Sequence, residues 1–163
     1  MTARNVLIAL FSILATCLSV GAGHAQTRKP TAEEIALVRE CAENYRDDLG
    51  AGENHCLFSL VAQPCIKAEG DSNLATADCY RIETEIWDGL LNDNYKELME
   101  SLDDKEQEEK LREMQRAWIA HRDATCGFYW HKIQGSMAVP MGAACLLRET
   151  GRRAMLLKFL VNL

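Results

Sequence analysis

The chain has 163 residues, 24 acidic against 18 basic side chains, a net charge of −6 and 48% hydrophobic residues. That length is one domain's worth, with enough apolar material for a single core, and the acidic balance argues against nucleic acid as the main partner. Seven cysteines, six of them after residue 25, point to an exported domain braced by disulfides rather than to thiol or zinc chemistry.

Residues 1–25 read as a signal peptide. Arg4 supplies the basic start, the stretch from Val6 to Val20 is mostly apolar, and Gly23-His24-Ala25 offers small residues for cleavage before Gln26. The apolar run carries Ser12, Thr16 and Ser19 and falls short of the roughly 20 residues a spanning helix needs, so cleavage is favoured over an anchor. Leu14-Ala15-Thr16-Cys17 resembles a lipobox, but threonine fits poorly before a lipidated cysteine, which makes lipidation through Cys17 the lesser alternative. The mature chain, with a charge of −7 once Arg4 is lost, is expected in the periplasm or outside the cell.

From there the pattern is helical nearly throughout. Pro30-Thr31 opens a first helix, with Thr31 and Glu34 spaced as a capping box and Ile35, Val38, Cys41, Tyr45 and Leu49 on one stripe; Gly50 to Gly52 is expected to end it. A short segment around His55 to Ala62 stops at Pro64, and Glu69 to Asn73 reads as a loop. A long helix from about Leu74 to Leu102 follows, with Cys79, Ile82, Ile86, Leu90, Leu98 and Leu102 on its inner face and Trp87, Leu91 and Tyr95 widening it. Asp103 and Asp104 mark a turn and cap the next helix, from Lys105 to about Gln134, whose Leu111, Met114, Trp118, His121, Thr125 and Tyr129 recur at helical spacing. Gly135 ends that helix, the stretch from Gly135 to Gly142 with its Pro140 is expected as a loop, and Ala143 to about Val161 forms the last helix. No strand pattern, repeat or low-complexity tract interrupts this order.

Short loops between long helices favour antiparallel neighbours, so the expected fold is all-α, a small antiparallel helical bundle with three disulfides. Cysteines flanking a loop are natural partners. Cys126 with Cys145 would clamp the Gly135 to Gly142 loop, and by the same reasoning Cys41 would pair with Cys56 and Cys65 with Cys79, although six cysteines permit fifteen connectivities. Charge is uneven: residues 78–109 carry −9 and residues 110–163 carry +6, which reads first as antiparallel helices attracting one another and second as an acidic face for a cationic partner.

Enzyme chemistry finds no purchase in these residues. His121 and Asp123 are two apart on a helix and diverge, and no serine lies in an elbow motif. His121 and His131 are too far apart along the helix to share a metal, so neither metal nor cofactor is expected. The carboxylates Asp103, Asp104, Glu106, Glu108 and Glu109 read as a solvated turn and helix start rather than a glycosidase pair.

Three segments carry a family resemblance: Trp87-Asp88-Gly89-Leu90-Leu91-Asn92-Asp93-Asn94-Tyr95, then Gln115-Arg116-Ala117-Trp118-Ile119-Ala120-His121-Arg122-Asp123-Ala124-Thr125-Cys126, and finally Gly135-Ser136-Met137 with Cys145 and Thr150-Gly151-Arg152. The chain resembles the LprI-type lysozyme inhibitor family over about residues 65–163, which leaves residues 26–64 as an added N-terminal helical extension carrying Cys41 and Cys56. The resemblance implies an exported helical domain of a family named for a lipoprotein that inhibits lysozyme. It also marks Asn92, Tyr95, Gln115, Trp118, Arg122, Asp123 and Arg152 as family-pattern structural residues.

From the residues themselves, Arg152 is expected to pair with Asp123 once the last two helices lie side by side. Trp87 and Trp118 are expected in the core, whereas Trp130, Ser136 and Met137 are the candidates for touching a protein partner. Two functions follow: a binding protein that blocks lysozyme, or an envelope structural or interaction module with no effect on lysozyme.

Overall fold

A computed structural model describes residues 28–163; the expected signal peptide, residues 1–25, and Cys17 lie outside the described residues. Among them the chain forms six helices and no strand: α1 (Ala32–Asn44), α2 (Leu49–Cys56), α3 (Ala62–Glu69), α4 (Asn73–Ser101), α5 (Lys105–Ile133) and α6 (Ala138–Val161). Among the described residues no helix is long and apolar enough to cross a membrane. All three disulfides join the cysteines that flank a turn. Cys41–Cys56, Cys65–Cys79 and Cys126–Cys145 have Cα–Cα separations of 5.8, 5.6 and 5.4 Å.

The helix starts follow local chemistry. Thr31 and Glu34 form a reciprocal capping box on α1, Asp48 accepts from Ala51 N at the start of α2, Ser72 from Ala75 N on α4, and Asp104 from Glu106 N on α5. α4 matches its sequence pattern closely, burying Cys79, Ile82, Ile86, Trp87, Leu90, Leu91 and Leu98.

Three boundaries differ from the sequence reading. The first helix ends at Asn44, and Gly50 and Gly52 lie inside α2. Gly52 serves packing there: a Cβ on it would lie 2.9 Å from Met155 Sδ and 3.1 Å from Tyr45 Cβ. Pro64 does not stop a helix but sits in the first turn of α3, where the missing N–H costs no intrahelical bond. Pro140 is tolerated in the same way, so α6 begins at Ala138 and the α5–α6 connection shrinks to residues 134–137, turned by Gln134 and Gly135 at positive φ.

The core is organised around α6, which packs along the length of α4 and against α5, while α3 packs on α4 and α2 on both α1 and α6. Gly151 permits the tightest approach, since a Cβ there would sit 2.2 Å from Leu57 Cδ2 and 3.3 Å from Trp87. α4 and α5 both pack on α6, and far less on each other. A long groove results.

Two charged side chains are buried in this core. Glu83 of α4 is 0% exposed and accepts from Phe58 N and Ala62 N, each at 2.8 Å, and from Trp87 Nε1 at 3.2 Å. It caps α3, whose own N-terminal residue Val61 supplies no side-chain cap, and it holds Phe58 at a φ of 68°. Burial pushes its carboxyl above the ordinary carboxylate range, opposed by the backbone and indole donors. The second buried charge is Arg153.

Candidate functional site

Along α5 the inward face runs through Leu111, Gln115, Trp118, Arg122 and Cys126, while His121 and Thr125 of the expected stripe face solvent. Trp118 is half-buried against the core rather than enclosed in it. Two guanidinium groups lie over its ring, Arg122 of α5 with Cζ 5.0 Å from the centroid and Arg153 of α6 at 5.6 Å. Arg153 is 5% exposed, its Nε donates to Gln115 Oε1 at 2.8 Å, and burial lowers its pKa.

The expected Arg152–Asp123 pair is not formed. Arg152 lies one residue before Arg153 and so points about 100° away around α6. It pairs with Glu53 of α2 and approaches Glu149, whereas Asp123 holds its neighbour Arg122 at 2.8 Å. The interhelical contact assigned to Arg152 is therefore made by Arg153. Asn92 is exposed and bonds only to Asp88 on its own helix, while Asn94, two residues on, donates to Ala154 O across the α4–α6 contact at 2.9 Å. Tyr95 packs at the margin of the core.

Sequence reasoning passed over Arg153, Glu83 and Asn94. A signal was present for two of them. Glu83 sits beside Ile82, Ile86 and Trp87 on the apolar face of its helix, and Arg153 falls in the register of Thr150, Ala154 and Leu157; a charge at a core position asks for a partner from elsewhere.

Part of the acidic stretch is answered within its own helices, where Asp78 and Glu85 meet Arg81 and Glu100 meets Lys96. Glu108 and Glu109 pair with Arg112 and Arg116, and Glu113 pairs with Lys110. Only some of the attraction crosses the bundle, as in Lys158 with Glu97 and Arg39 with Asp93.

The groove between α4 and α5 is floored by Val139, Gly142, Ala143 and Leu146 of α6, walled by Leu74, Ala77, Arg81, Gly127 and Trp130, and has a volume of about 520 Å³. Cys126 lines it, and its bond to Cys145 fixes α5 to α6 beside the groove. Trp130 is 54% exposed, yet its Nε1 comes within 3.3 Å of the Cβ position of Gly142, so one edge of the indole is seated on α6 and the rest is open. Ser136 Oγ accepts from Asn73 Nδ2 at 2.9 Å, tying the short loop to the start of α4. Met137, 52% exposed, and Leu74, 68% exposed, flank that tie. Trp130, Ser136 and Met137 therefore belong to one end of the molecule, and Ser136 is a brace there rather than a free probe. Among the described residues no group of three or more His, Cys, Asp or Glu side chains is placed to hold a metal ion.

The described residues form a disulfide-braced helical domain with an open, mostly apolar groove between α4 and α5. The family model of the lysozyme inhibitor LprI matches residues 65–157, and the chain belongs to that family. The matched span contains α4 and α5 whole, nearly all of α6 and two of the three disulfides. Comparison with curated proteins and with solved structures gave no match.

Proposed function

We propose that this protein binds a lysozyme-type peptidoglycan hydrolase outside the cytoplasm and blocks it. The observation that carries this reading is the family match, which spans the three helices that form the groove. The groove end supplies what a protein interface needs: half-seated Trp130, exposed Met137 and Leu74, and a loop held short by Ser136 and the Cys126–Cys145 bond. An anchor that is rigid before binding loses little entropy on docking.

Charge acts at longer range. The net negative charge, −7 once residues 1–25 are removed, draws in a cationic lysozyme and raises the association rate at low salt. Within residues 93–109, Glu100, Glu108 and Glu109 pair inside their own helices and Asp93 and Glu97 pair across the bundle, while Asp103, Asp104 and Glu106 form no ion pair with another described residue; charge steers the approach, and the apolar end makes the contact. The test is hydrolysis of peptidoglycan by several lysozyme types with and without the oxidised mature chain. Inhibition that falls off on reduction of the disulfides is the expected result; no inhibition at micromolar excess would contradict the proposal for those types and leave an envelope interaction module.

A further inference from the structure

Nearly every arginine among the described residues is engaged. Eight form ion pairs and Arg153 donates to Gln115. Arg148 of α6 alone has neither an ion pair nor a hydrogen bond to another described residue; its Cζ lies 5.7 Å from the centre of the Phe58 ring. In a chain with six more acidic than basic side chains, a half-buried guanidinium without a carboxylate is an anomaly of placement.

Arg148 lines a second hollow of about 470 Å³, formed with Phe58, Tyr80, Asn54 and Gln63. It lies on the flank of α6 opposite the Trp130 groove, because Ala144 and Arg148 line one and Ala143 and Leu146 the other. The one carboxylate in its lining, Glu53, is held by Arg152 and not by Arg148. The side-chain amides of Asn54 and Gln63 and the hydroxyl of Tyr80 have no hydrogen-bond partner among the described residues either. Phe58 meets Tyr80 edge to face at 5.5 Å and is fixed from below by Glu83, so the aromatic wall is rigid.

We infer that this hollow binds a carboxylate of the acylated amino-acid type, with the carboxylate on Arg148, the adjoining amide group on Asn54 and Gln63, and an apolar side chain against Phe58 and Leu57. A planar guanidinium offers a carboxylate two parallel donors, and its stacking on an aromatic ring fixes the plane of approach. Such a group is carried equally by a free acyl amino acid and by the C-terminus of a peptide. The site is separate from the groove assigned to lysozyme, so it stands or falls independently of that reading.

The probe is N-acetyl-L-leucine, titrated into the oxidised chain and followed by the backbone amide resonances of Phe58, Gln63 and Arg148. Saturable shifts are expected there. They should weaken at least about tenfold with N-acetyl-L-leucinamide, which lacks the charge, and in Arg148→Gln. Arg148→Lys, which keeps the charge but loses the fork, should bind between the two. A peptide ending in leucine distinguishes the sources: affinity above that of N-acetyl-L-leucine assigns the site to chain termini, and equal affinity to free acyl amino acids. The inference is overturned if shifts do not saturate, if the amide analogue binds as well as the acid, or if Arg148→Gln and Arg148→Lys, both melting like the wild type, titrate unchanged.

Discussion

Arg153 Nε donates to Gln115 Oε1 at 2.8 Å, and this bond is the polar link between α6 and α5 beneath the Trp118 ring. Gln115→Ala leaves a buried guanidinium with one donor fewer answered and should cost about 1–3 kcal/mol in urea unfolding. Arg153→Met removes the charge together with its need for a partner. In the double variant, Gln115→Ala should add much less than it costs alone, a coupling visible in a double-mutant cycle.

Gly151 is fixed by close packing. In Gly151→Ala the new methyl must displace Leu57 and press on Trp87, both buried, and such overpacking costs about 1–3 kcal/mol against a helix-propensity gain of up to about 1 kcal/mol. Net destabilisation, read as a lower melting temperature, is expected. Pairing it with Leu57→Ala should recover part of the clash while adding the cost of a truncated core side chain.

The buried carboxylate gives a pH dependence of definite sign. Because Glu83 titrates higher in the folded chain than its ordinary 4.5, its contribution is fully present below that value and is lost as pH rises through the folded pKa. Glutamine at this position does not titrate. The stability of the wild type relative to Glu83→Gln should therefore decline as pH is raised from 4.5 towards neutrality, as measured by denaturant unfolding at a series of pH values. A difference that instead grew over that range would reverse the assignment.

The three disulfides should not be equivalent. Replacing Cys126 and Cys145 with serine opens a 19-residue span and should cost about 3 kcal/mol in the chain-entropy account. It should also loosen the groove and weaken lysozyme binding. Replacing Cys41 and Cys56 should lower stability to a similar degree with little effect on binding, since that bond joins α1 to α2, away from the groove.

How much of this was legible beforehand depends on how far apart the determining residues lie. The inner face of α4 and the capping box on Thr31 follow from neighbours three and four residues apart, and both appear as read. The disulfide pairing follows from cysteines flanking turns, a local relation once the turns are placed. The family pattern in α5 was visible too, yet the expected pair of Asp123 with Arg152 is not formed: Asp123 holds Arg122, Arg152 holds Glu53, and the contact from α6 reaches Gln115 and Trp118 through Arg153. Gly52, Pro64 and Pro140 were taken as breakers on local grounds. Each is accommodated, Gly52 by the approach of Met155 and the prolines by first-turn positions. The Arg148 hollow had no sequence signal, since it draws on α2, α3, α4 and α6 together.

The central claim, that the groove end carrying Trp130 is the surface that meets lysozyme, is tested most directly by one comparison. The inhibition constant of the oxidised wild type is measured against that of Trp130→Ala, with melting curves for both. A half-seated indole at the centre of an interface predicts a loss of about 30-fold or more in inhibition with melting little changed. Equal inhibition by the two proteins would contradict the claim and move the contact surface elsewhere on the molecule.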